Sequence, residues 1–266
     1  MINKTLFLKE WKTNWKMLVL FAAILTLYGA MIVSMFDPKL GESLKMMMES
    51  MPQIFSAFGM ANPGTTLLEF LINYLYGFLF IAFPVVYIIL LANRLMSCYI
   101  DRGAMACLLA TPNSRGRICR SEAAVFISKI LVLVLYLTAL CTAISCAMFP
   151  GDLEIGRFLA VNAGLFGLLL FLSGLCFFCA AVFSDSKMGL GAGGGLCVVF
   201  ILIQMLSDMG GNLEKLQYFT PLTLFCPEGL AAGNSGAVLA CVMMYAVGFA
   251  IYGAGIWGFC RRDLPV

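Results

Sequence analysis

The chain has 266 residues, 62% of them hydrophobic and 12% charged, with a net charge of +3. A soluble domain carries about 25% charged residues, so a water-soluble globule is excluded, and once apolar runs are set aside no connector is large enough to bury a core of its own. No histidine occurs, which removes the usual general base and the commonest zinc ligand.

In chain order, residues 1–16 come first. Leu6, Phe7, Trp11 and Trp15 fall near helical spacing with Lys4, Lys9, Lys12 and Lys16 between them, which predicts an amphipathic helix lying in the inner membrane interface. Charges interrupt this segment and no small-residue cleavage site follows it, so it does not read as a cleavable signal peptide. Six apolar runs follow, at 17–35, 69–92, 123–148, 158–183, 188–207 and 236–259. Each suits the roughly 20 residues of helix that hydrocarbon requires. The first outer connector, 36–68, holds Met46-Met47-Met48, a flexible apolar contact rather than a spaced copper site. Pro84 predicts a kink in the second run. Residues 93–122 form the longest inner connector, and the turn 184–187 is short enough to make the fourth and fifth runs antiparallel neighbours. The last outer connector, 208–235, is too apolar for a solvated loop and is expected to dip back as short broken helices.

Charge sets the expected orientation. The N-terminal segment, 93–122, 184–187 and the tail carry Lys4, Lys9, Lys12, Lys16, Arg94, Arg102, Arg115, Arg117, Arg120, Lys187, Arg261 and Arg262, against Lys39, Lys45, Arg157 and Lys215 on the opposite connectors. The positive-inside rule places both termini in the cytoplasm of a multi-pass plasma-membrane protein. The central thirds of the runs are uncharged; Glu69 at an outer end and Lys129 near an inner one are each expected to snorkel to water. That pattern argues against an ion-coupled carrier or an intramembrane enzyme. Gly189-Leu190-Gly191-Ala192-Gly193-Gly194 matches a dinucleotide fingerprint in letters only, because no strand precedes it. It reads instead as close helix packing, through Gly189/Gly193 and Gly191/Gly195. The sequence holds no G-x-x-x-x-G-K-[ST], so it carries no phosphate-binding loop of that type. The cysteines, most of them within the apolar runs, read as reduced, space-filling thiols.

The most specific stretch lies in the inner connector. Asp101, Gly103, Leu108, Leu109, Pro112, Ser114 and Arg115 follow the order acidic-x-Gly-small, Leu-Leu-small-x-Pro, Ser-Arg, and the chain ends Phe259-Cys260-Arg261-Arg262-Asp263-Leu264-Pro265. In these residues the chain resembles the permease subunits of type-2 ABC exporters, with Met105 and Ala106 standing where such families often carry Leu and Glu. The resemblance implies an all-α polytopic fold, an interfacial helix plus six transmembrane helices, in a single permease domain over 1–266. It implies that 93–122 is the coupling loop, with Asp101, Arg102, Gly103, Leu108, Leu109, Pro112, Asn113, Ser114 and Arg115 meeting a cytoplasmic ABC ATPase. ATP and Mg would then bind the partner, leaving no catalytic, cofactor-binding or metal site on this chain. A second permease subunit would complete the pathway along spans two and five, lined by Phe70, Asn73, Tyr74, Phe78, Phe200 and Gln204. Such walls suit an apolar or amphipathic cargo (a drug, hydrophobic peptide or lipid) and no nucleic acid. The rival readings are a non-transporting anchor or sensor that recruits the same ATPase, and an intramembrane lipid-modifying enzyme.

Overall fold

The computed structural model describes residues 3–36, 50, 56, 66–97, 114–183, 185–209 and 211–261. Among the described residues the chain is all-helical, with helices long and apolar enough to cross a membrane at Trp15–Ser34, Leu67–Met96, Arg115–Met148, Ile155–Val182, Lys187–Asp208 and Ser235–Arg261. We number the helices α1 (Lys4–Thr13), α2 (Trp15–Ser34), α3 (Leu67–Leu71), α4 (Leu79–Ala92), α5 (Arg115–Met148), α6 (Ile155–Val182), α7 (Ser186–Asp208), α8 (Pro227–Ala231) and α9 (Ser235–Arg261).

α6 is the centre of the bundle, packing against α9, α7, α4, α5 and α8. Of its most apolar stretch 67% is buried, against 22% for each of α7 and α9, which therefore lie at the periphery. Small residues permit the close approach. Gly174 of α6 faces the Gly248 carbonyl of α9, and Gly255 faces Phe177 and the Phe178 backbone. Where helices touch at this range, packing replaces the hydrophobic drive that lipid cannot supply. Tyr252 of α9 donates to Ser173 Oγ at 2.8 Å, adding a hydrogen bond inside the seam. α2 buries one face only, Met17, Phe21, Leu25, Gly29 and Val33 at a spacing of one turn, against α5 and α4.

The second span is irregular. Thr66 and Glu69 form a capping box: the Glu69 N–H donates to Thr66 Oγ1, and the Thr66 N–H donates to Glu69 Oε2. Glu69 thus bonds to the start of its own helix rather than simply reaching for water. After α3 the helix widens to a π turn over Ile72–Tyr76, then breaks at Gly77 and Phe78, where Phe78 takes φ −140°. Pro84 sits inside α4, and this interruption lies upstream of it. A second π turn, Asn93–Ser97, closes the span.

α5 begins at Arg115, well before the apolar run that starts at residue 123, so the basic segment around Arg117 and Arg120 is helical. Its 34 residues make a rod about 50 Å long at 1.5 Å per residue. The turn to α6 runs through Gly151 at φ +98°, a conformation that disfavours any side chain. The last connector is a series of short helices: 3₁₀ turns at Gly211–Phe219 and Pro221–Leu224, then α8. Leu222, Phe225 and Leu230 are buried, and Gly164 of α6 leaves room for Phe225 and Leu230. Thr220 Oγ1 donates to the Phe200 carbonyl at 3.4 Å, tying the connector to α7.

Candidate functional site

On the side of the bundle away from the described chain ends, the broken second span, the end of α7 and the last connector surround a cavity of about 320 Å³. The break at Gly77–Phe78 explains why space exists there. A regular helix would stack its side chains through this level, whereas the π turn and break leave Ile72, Asn73, Tyr76, Gly77 and Phe78 lining one wall. α7 supplies Ile201, Gln204, Met205 and Asp208, and the connector supplies Leu222, Thr223, Phe225, Cys226, Pro227 and Glu228. The polar groups are ordered. Gln204 Nε2 donates to Asp208 Oδ1 at 2.8 Å, one helical turn apart on α7. The Thr223 hydroxyl lies 2.6 Å from the Gln217 carbonyl and 3.2 Å from Gln204 Oε1, so its one proton serves the closer carbonyl within the connector, with the amide oxygen beside it. Glu228 stands exposed in the first turn of α8, whose N-terminus is capped by Cys226 Sγ accepting from the Gly229 N–H.

Of the six residues predicted to line a pathway, Asn73, Phe78 and Gln204 come together at this cavity. The other three do not line it. Phe70 is buried against Phe36, and its ring centroid lies 4.4 Å from that of Tyr74, so both belong to an aromatic cluster beside the first span. Phe200 packs, half-buried, against the hydrophobic core. Sequence reasoning missed Tyr76, Asp208, Thr223 and Phe225. One signal was available for Asp208: with Gln204 it forms an i, i+4 polar pair at the end of an apolar run.

The coupling segment is different. Asp101, Arg102, Gly103, Leu108, Leu109, Pro112 and Asn113 lie outside the described residues. Ser114 and Arg115 are described, as the residue before α5 and its first residue. Gly116 sits where an added Cβ would lie 3.2 Å from Cys260 Sγ, so the start of α5 abuts the end of α9.

The interfacial helix brings the largest departure from expectation. Leu6 is buried as expected, but the buried stripe continues through Glu10, Asn14 and Met17 rather than through the aromatic residues, and Trp15 is exposed. Lys129, expected to snorkel, is fully buried beneath α1. Its Nζ donates to the Trp11 carbonyl at 3.2 Å and stands 4.6 Å from the centre of the Trp11 ring. The Asn3 N–H donates to Ser121 Oγ at 2.8 Å, fixing the other end of α1 to α5.

The glycine fingerprint lies within α7, and among the described residues no strand precedes it. Gly189 and Gly193 abut the α6 backbone at Cys179, Ala180 and Cys176, and Gly194 meets Ile89 of the second span. Gly191 and Gly195 face open space.

Residues 9–260 match the family model described as "Multidrug efflux system permease Rv1217c, C-terminal domain". The chain belongs to this family. No individual curated protein matches it. Membership makes the chain a transporter permease subunit of the ABC export type, as the resemblance implied, and agrees with its six apolar helices. Spans two and five both contribute to the cavity, and Ser114 and Arg115 lead from the inner connector into α5.

Proposed function

We propose that this permease exports an apolar or amphipathic cargo (a drug, hydrophobic peptide or lipid) using ATP hydrolysed on separate ABC ATPase subunits docked against the coupling loop 93–122. The observation that carries the reading is the family match over nearly the whole chain, to a model whose description names multidrug efflux. The sequence adds that these 266 residues hold no phosphate-binding loop of that type, which supports a source of work outside them. The mechanical route follows from the fold. The segment after the second span enters α5, and α5 is an unbroken rod that packs against α1, α2, α4, α6 and α9. A displacement at Ser114 and Arg115 therefore moves a packed helix rather than a slack loop. The second span, interrupted at 72–78, is the element able to bend in response.

Two copies would meet along the outward face of α7. Gly191 and Gly195 have open space beside them there, and Val198, Val199 and Leu202 are exposed. Such a face is stable only against hydrocarbon or another protein surface. Both termini would be cytoplasmic, and the cavity would open outward.

The test is reconstitution with a candidate ATPase in proteoliposomes. Substitutions across Asp101–Arg115, such as Gly103→Pro or Arg115→Glu, are expected to abolish ATP-driven cargo movement while membrane insertion stays intact. Normal cargo-dependent ATPase stimulation by these variants would refute the coupling role. A wild-type complex that assembles but moves no cargo would favour the anchor reading instead.

A further inference from the structure

We propose that the cavity between the second span, α7 and the last connector selects an amphipathic monocation, with the Asp208 carboxylate as its counter-charge. The inference rests on the export reading above and narrows its cargo to molecules that carry positive charge.

The size fits. About 320 Å³ lies within the range of pockets that hold drug-sized ligands. Most of the wall is apolar or aromatic, including Phe78, Ile81, Ile201, Met205 and Phe225. The charged residues on it are Asp208 and Glu228, and among the described residues no Lys or Arg lines it. Nor, among the described residues, does Asp208 form an ion pair; the ion pairs there join Lys9 to Glu10 and Arg157 to Glu154. Asp208 is half-buried, and Gln204 aims it by donating to one carboxylate oxygen. A neutral cargo would displace water from this carboxylate and return nothing for it, and an anion would be repelled. A cation repays that desolvation and gains further attraction from the Phe78, Tyr76 and Phe225 rings. Glu228, exposed, adds attraction at longer range.

The charge-reversed pair tetraphenylphosphonium and tetraphenylborate, alike in shape, tests this directly. Equilibrium binding is measured to the full-length chain in nanodiscs of zwitterionic lipid, with no ATPase or ATP present. Saturable binding is expected for tetraphenylphosphonium and none for tetraphenylborate, each ion titrated separately. Asp208→Asn is expected to weaken it by about tenfold or more, as removal of a half-buried charge partner should, while Asp208→Glu retains it. Equal binding of the two ions, or unchanged affinity in a stably folded Asp208→Asn protein, overturns the inference. Should Asp208→Asn fail to insert, Gln204→Leu keeps the charge but removes its aiming amide; a loss of about threefold or more supports the inference and unchanged affinity overturns it. The two readings fail separately. Charge-selective binding without ATP-driven export supports this inference and refutes the export reading. ATP-driven export of a neutral dye without charge-selective binding does the reverse.

Discussion

A lysine seven residues into an apolar run has two ways to survive: reach water, or bury its charge with partners. Lys129 takes the second way, covered by α1 and bonded to the Trp11 carbonyl with its ammonium over the Trp11 ring. The same contact surface buries Glu10 and Glu122. Among the described residues Glu122 Oε2 has no hydrogen-bond partner. An ammonium that donates to a carbonyl and stands over a ring stabilises docking; a buried carboxyl with an oxygen left unbonded opposes it. Lys129→Met is therefore expected to loosen α1 from α5 and to destabilise the purified protein by about 2 kcal/mol, read as a lower thermal midpoint and a red-shifted Trp11 emission in a variant whose other tryptophans are replaced. Glu122→Gln is expected to leave that midpoint unchanged or raise it. The opposite ranking of the two variants would show that the buried acids, not the lysine, hold the helix down.

Among the elements, α7 has two glycine rows with opposite roles. Gly189 and Gly193 let α7 sit on the backbone of α6; a Cβ on Gly193 would stand 3.0 Å from the Cys176 Cα. Gly191 and Gly195 have nothing within 4 Å of an added Cβ among the described residues. Gly193→Leu is thus expected to cost about 1–3 kcal/mol by overpacking, seen as poorer expression and a lower thermal midpoint of the monomer. Gly191→Leu is expected to spare the monomer but to weaken self-association measured by single-molecule photobleaching in lipid. Equal effects of both substitutions on the monomer would contradict the assignment of faces. The i, i+4 spacing that marked these residues was visible in the sequence for both rows alike. Which row faces α6 depends on the rotation of α7 about its axis, and that rotation is set by Cys176, Cys179 and Ala180 on the neighbouring helix.

For the whole molecule, the scheme requires that the coupling segment and the cavity open on opposite sides of the membrane. Cys107 lies in the first and Cys226 lines the second, so two single-cysteine versions of the chain report both sides. An impermeant thiol reagent added to intact cells is expected to label the version retaining Cys226 and not the one retaining Cys107. Labelling of Cys107 from outside would invert the topology and remove the coupling scheme with it. The charge count behind this expectation sums over many exposed residues, so it is insensitive to packing detail.

The six spans, a helix over the N-terminal segment and the broken last connector were legible in the sequence, because each depends on local composition summed over many residues. So was the start of the second span, had Thr66-x-x-Glu69 been read as a capping box. The cavity was legible only in part. Asn73, Phe78 and Gln204 line it, whereas Phe70 and Tyr74 stack on each other beside the first span and Phe200 packs from α7 against the core, because the rotation of each helix sets which side chains face the cavity. Lys129 and Asp208 show the same limit: one charge is buried and the other lines a wall through contacts with segments distant in sequence. Hydropathy alone determined that this chain crosses the membrane and where, since transfer into hydrocarbon is a property of each segment. The fold alone decided which polar groups meet, since that depends on helix rotation and on neighbours that no local pattern encodes.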